Sequence, residues 1–104
     1  MSDTTAAALL GEAARLVAGD RGRTHGAKRA NLAATATLWQ AWLDIRRPGP
    51  LRAEDVGHMM ALVKAARTQT GDFNADDYVD GAGWTACAGE VAAPPGGSRS
   101  AQDA

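Results

Sequence analysis

The chain has 104 residues, a formal net charge of −1 and an ordinary 45% apolar fraction, which fits one small domain with a single core. That charge balance implies no bulk attraction to nucleic acid or to an anionic membrane. The single cysteine, Cys87, excludes an internal disulfide and a CxxC metal knuckle, and it fits a reducing compartment.

Much of the apolar content is alanine, with one Phe and one Tyr, so composition points to an all-α domain. An alanine-rich core gains little per buried residue, and oligomerisation is expected as extra burial. No run approaches the ~20 apolar residues of a membrane-spanning helix. No basic segment followed by an apolar core opens the chain, so a soluble, cytoplasmic protein is expected.

In chain order, Thr4 or Thr5 can cap a first helix over about 5–18, where Ala6, Leu9, Leu10, Ala13, Leu16 and Val17 make an apolar stripe. The polar segment "GDRGRTHGAKRAN" (19–31) follows, and a second helix is predicted over about 28–45. Ala34, Leu38, Trp42 and Ile45 share a face of it, with Trp39 and Leu43 beside them. The two prolines of "RRPGP" (46–50) break the chain. A third helix is predicted over 53–70, with Val56, Met59, Met60, Val63 and Ala66 on its buried face. Glu54 and Asp55 sit in its first turn, where the helix dipole favours acids. Asn74 caps a fourth helix running to about Ala92. Residues 93–104 are Pro, Gly and Ser with little apolar content, and a disordered tail is expected. The prediction is therefore one helical domain over 1–92, a small antiparallel bundle of about four helices.

Three groups of residues carry candidate chemistry. "DFNADD", from Asp72, begins like a calcium loop, but the required glycine is replaced by Asp77 and the twelfth-position glutamate by Gly83. Asp76, Asp77 and Asp80 lie three and four residues apart on one helix. Carboxylates so placed can hold Mg2+ through one or two oxygens together with substrate phosphates. Asp76 and Asp77 are also explained as helix-start acids, whereas Asp80 lies beyond the reach of a cap.

The segment holding Arg21, Arg23, Thr24, His25 and Lys28 leads from glycines into a helix start. It is a reasonable phosphate cradle, although it lacks P-loop spacing. Lys64 and Arg67, one turn apart on the third helix, can bind phosphate or pair with the aspartates of the fourth, Asp80 among them. Cys87 reads as a small buried filler. Gly81, Gly83 and Gly89 are costly inside a helix and suggest close approach of another helix or a ligand.

"DRGRTHG", "NLAATATLWQAWL", "DVGHMMALVKAARTQTG" and "NADDYVDGAGW" resemble, in order and spacing, a family of small tailed-phage and prophage proteins that carry a domain of unknown function. The likeness spans about residues 19–91 and implies a bacterial host cytoplasm. A weaker resemblance extends to the MazG-like and dUTPase-like all-α nucleoside triphosphate pyrophosphohydrolases. That likeness implies an oligomeric helical scaffold, Mg2+ and hydrolysis of nucleoside triphosphates. Asp77 and Asp80 match that group's ExxD-like pair with Asp for Glu, and Lys64 matches its preceding basic residue. Its second acidic pair, ExxE on an earlier helix, has no counterpart. The second helix offers only Asp44, and the third has Glu54 and Asp55 at its start.

The expectation is a nucleotide-handling phage protein with catalysis left open. Its alternatives are a non-catalytic sponge for a nucleotide signal of host defence, or an oligomeric structural or adaptor protein.

Overall fold

The computed structural model describes residues 4–18 and 25–96, with side chains from Lys28 onward in the second segment. It contains four α-helices and, among the described residues, no strand. They are α1 (Ala6–Ala18), α2 (His25–Ile45), α3 (Ala53–Arg67) and α4 (Ala75–Ala92).

Two helix boundaries differ from expectation. The second helix begins at His25, three residues early, so Gly26 falls in its first turn. The third ends at Arg67 rather than at 70. There the carbonyls of Ala65 and Ala66 accept from the backbone N–H groups of Thr68 and Gln69, three residues on, and from the hydroxyls of Thr68 and Thr70, so the last turn tightens and closes. The start of α4 is as predicted: Asn74 Oδ1 accepts from the Asp76 N–H at 3.0 Å. At the other end α4 stops at Ala92, and Ala93–Gly96 continue as non-helical chain. Residues 97–104 of the expected tail lie outside the described residues.

The α3–α4 pair is the most closely packed part of the fold. Gly57 lies against Ala88 and the Trp84 carbonyl, and farther along Lys64 meets Gly81 and Asp80, so α4 folds back along α3. A Cβ on Gly57 would stand 2.8 Å from the Ala88 Cβ, which makes Gly57 the position where this approach requires glycine. Of the glycines expected to permit close approach, Gly81 would bring a Cβ to ordinary contact with Lys64, and Gly83 and Gly89 face open space.

The α2–α3 seam is fastened by indole donors. Trp39 Nε1 donates to the Met59 carbonyl at 2.7 Å, and Trp42 Nε1 donates to Asp55 Oδ1 at 3.2 Å. The Trp42 ring also lies 4.7 Å from the His58 ring.

Among the described residues the buried set is small or polar: Ala66, Ala88 and Gly57 with Thr35, Asp55 and Asp77. Met59, Met60 and Val63 are half-buried. Val56, expected on a buried face, and Cys87, expected as a buried filler, are exposed, and so is Ile45. Each lies on a helix flank to which no second helix is applied. Helix α1 contributes no buried residue, and Leu10 on its predicted stripe is 70% exposed.

Candidate functional site

A cleft of about 440 Å³ opens where the N-terminal half of α2 passes the α3–α4 turn. Lys28, Asn31 and Leu32 reach it from α2, Arg67 from the end of α3, and Asp72, Asn74 and Asp77 from the turn and the start of α4. The seam is held here by Asn31, whose Nδ2 donates to Thr70 Oγ1 at 3.3 Å. Two of the predicted phosphate ligands, Lys28 and Arg67, thus meet one of the predicted metal ligands, Asp77.

Asp77 is the unusual member. It lies in the first turn of α4 and is only 8% exposed. Its backbone N–H donates to the Asn74 carbonyl. Among the described residues its carboxylate makes no hydrogen bond or ion pair. Its carboxylate oxygens are not enclosed, since Arg46 Nε is the enclosed side-chain polar atom left without a partner among the described residues. The carboxylate faces the cleft, beside a helix N-terminus that favours its charge. Lys28, Arg67 and Asp72 are likewise without side-chain partners among the described residues. Unpaired charges of both signs therefore line one cavity.

The other predicted ligands are distributed differently. Asp80 forms an ion pair with Lys64, Nζ to Oδ2 at 3.2 Å, with the carboxylate half exposed. That places both on the α3–α4 seam, outside the cleft lining. Asp76 is exposed. Among the described residues no three His, Cys, Asp or Glu side chains gather as a metal site, so Asp76, Asp77 and Asp80 do not converge. Arg21, Arg23 and Thr24 lie outside the described residues. His25 begins α2, and its side chain is also outside them.

Sequence reasoning read Asp55 as a helix-start acid, and its role is larger. Asp55 is buried and accepts from the Arg52 backbone N–H at 2.7 Å, from Trp42 Nε1 and from the Arg46 guanidinium at 3.3 Å. The Arg52 N–H, then Trp42 and the two arginines, hold its carboxyl below the usual carboxylate range against the opposing effect of burial. Arg46 also donates to the Gly49 and Pro50 carbonyls, and Arg52 donates to those of Arg47 and Pro48. The "RRPGPLR" connection is therefore wound around two guanidiniums. The legible signal was an acid three residues after Arg52, at the third helical position. Glu54 is occupied by Arg47 at 3.3 Å, and Asp44 accepts from Gln40 at 2.9 Å.

An apolar groove of about 680 Å³ runs along α3 and α4, lined by Ala61, Leu62, Ala65, Tyr78 and Ala82, and Asp77 borders it as well as the cleft. None of the described helices is long and apolar enough to cross a membrane.

Residues 8–92 match the model of a domain of unknown function, DUF6378. The Gene 55 protein of Mycobacterium phage D29 is 30% identical over 87 residues, which cover 84% of this chain and 55% of that protein. The chain thus spans about half the length of that phage relative. No solved structure matches it.

Proposed function

We propose that this chain, which belongs to the DUF6378 family, is a phage-encoded nucleotide-handling protein on a MazG-like helical scaffold that binds nucleotide phosphates in the α2/α3–α4 cleft. The observation that carries this reading is the set of unpaired charges there: Lys28 and Arg67 without an acid, and buried Asp77 without a cation. A phosphate chain accompanied by a divalent cation satisfies both signs at once. Lys28 would meet phosphate as a compact point charge, and Arg67 as a planar fork. Asp77 and Asp72 offer the hard oxygen donors that Mg2+ prefers, and the bound ion would neutralise phosphate charge.

Binding without turnover is the form the side chains favour. The carboxylates that could serve as a second acidic pair are engaged elsewhere: Asp55 by Trp42, Arg46 and Arg52, Glu54 by Arg47, and Asp44 by Gln40. This supports a sponge for a nucleotide signal over a pyrophosphohydrolase.

Thermal shift with a panel of nucleotides, with and without Mg2+, tests the reading. The wild-type midpoint should rise with nucleotide and Mg2+, and the Lys28→Ala/Arg67→Ala double variant should lose that rise. Asp77→Asn should keep the fold and lose the response to Mg2+. If no nucleotide moves the wild-type midpoint, the reading fails. Monophosphate and pyrophosphate in a product assay would restore the enzyme.

A self-associating, structural or adaptor role is the second reading. It is favoured by α1, whose Leu9, Leu10, Leu16 and Val17 are all exposed in the single chain, a stripe that a second copy could cover.

A further inference from the structure

Phe73 and Tyr78 are chain neighbours of cleft-lining residues, Tyr78 itself lines the adjoining groove, and they serve none of the roles assigned above. Their ring centroids are 5.8 Å apart with planes inclined by 26°. Phe73 precedes the cap residue Asn74 and Tyr78 is the fourth residue of α4. An apolar pair at these positions fixes the entry of a chain into a helix, which explains why the two rings meet. It does not explain why both are aromatic, since aliphatic side chains make the same staple. Nor does it explain their exposure: Phe73 is 79% and Tyr78 56% exposed.

The placement relative to the cleft supplies the missing reason. Phe73 sits between Asp72 and Asn74, and Tyr78 follows Asp77; all three neighbours line the cleft. Consecutive Cα atoms are about 3.8 Å apart, so both aromatic residues stand next to the charged lining along the chain. Tyr78 also borders the apolar groove that shares Asp77 with the cleft. Asp77 lines both the charged cleft and the groove, Tyr78 lines the groove, and Phe73 stacks on Tyr78, so charged lining and exposed aromatic rings adjoin at the start of α4.

We propose that Phe73 and Tyr78 are the platform on which the nucleobase of the bound nucleotide stacks. This rests on the phosphate site argued above and adds the recognition of the base. Every base has a π face, so such a platform accepts all of them and grades them by stacking strength. The ligand class is thus a nucleoside polyphosphate, with purines held more tightly than pyrimidines.

The test titrates the full chain, by calorimetry in Mg2+, with the four deoxynucleoside triphosphates and with inorganic tripolyphosphate. The Phe73→Leu/Tyr78→Leu variant keeps an apolar staple and removes the aromatic face. Its affinity for the purine nucleotides should fall by between about fivefold and a hundredfold, with tripolyphosphate affinity unchanged. Phe73→Trp, which keeps a ring, should bind the nucleotides at least as well as wild type, and this holds the test open if the leucine pair fails to fold. In wild type the base protons should move upfield in the ligand NMR spectrum.

Equal nucleotide affinity in wild type and the leucine variant overturns the platform while leaving the phosphate site standing. Wild type binding nucleotide no more tightly than tripolyphosphate does the same. If neither probe binds wild type, both proposals fall. A change in oligomeric mass without a change in nucleotide affinity assigns the rings to a protein interface and overturns the platform.

Discussion

Alanine substitution at three glycines should change stability with opposite signs. At Gly57 the new methyl would stand 2.8 Å from the Ala88 Cβ and 3.1 Å from both the Ala88 Cα and the Trp84 carbonyl oxygen. None of these atoms belongs to a flexible side chain, so α3 and α4 must separate by a few tenths of an ångström. Overpacking of this kind costs about 1–3 kcal/mol, and the helix-propensity gain of Ala over Gly returns up to about 1 kcal/mol. With the full propensity gain returned, a net destabilisation of about 0–2 kcal/mol results, near 4–8 °C of midpoint for each kcal/mol in a domain of this size. At Gly83 and Gly89 a Cβ meets nothing within 4 Å, and only the propensity gain remains, about 0.5–1 kcal/mol of stabilisation each. Urea unfolding of the three single variants at one protein concentration measures this. A Gly57→Ala protein stabilised as much as Gly83→Ala would refute the close α3–α4 crossing. A destabilising Gly83→Ala would show that the outer face of α4 is covered in the assembled protein.

Three further outcomes follow from the same geometry. Because the Asp55 carboxyl is held below its ordinary value, its stabilisation is complete above the usual carboxylate range. It disappears as pH falls through the folded-state value. Urea midpoints between about pH 5 and pH 2 should therefore fall more steeply for wild type than for Asp55→Asn, and parallel curves would contradict the assignment. The Lys64–Asp80 pair is half exposed on the acid side, so a double-mutant cycle should return a coupling of under about 1 kcal/mol; loss of the fold in Asp80→Ala would show a buried pair instead. Leu9→Asp with Leu16→Asp should convert an oligomer to a monomer by light scattering while helicity outside α1 is retained, and a monomeric wild type would remove the reason for the exposed stripe.

What could be read in the sequence was local. The Asn74 cap, the break at "RRPGP" and the four helical segments are set by side chains acting on backbone within a few residues, so pattern and capping located them. Which face of each helix would be covered depends on a partner, and there periodicity misplaced Val56, and residue type misplaced Cys87. Glycines are equally visible along the chain, but Gly57 and Gly83 differ only in what stands opposite, which no spacing discloses. The Asp80 pairing was legible because Lys64 and Asp80 sit on consecutive predicted helices of matching length. The Asp55 lock was not, because Trp42 and Arg46 approach it across the turn between two helices.

The same contrast alters which acid of "NADDYVDGAGW" matters. Asp80 seemed to need an explanation because no cap could reach it, and Lys64 supplies one. Asp77 seemed sufficiently explained by the helix start, yet it is buried beside Lys28 and Arg67 with its carboxylate unpaired. Its surroundings differ from those of Asp55, the other buried acid, which three donors satisfy. Asp55 lies where the tryptophans of α2 fasten the seam, whereas Asp77 lies where α2 is joined to the α3–α4 turn by the Asn31–Thr70 hydrogen bond. A ligand joining Lys28 on α2 to Arg67 and Asp77 would reinforce the Asn31–Thr70 fastening at that end of the seam. Its binding energy then appears directly as stability of the helix packing, growing with ligand concentration by mass action.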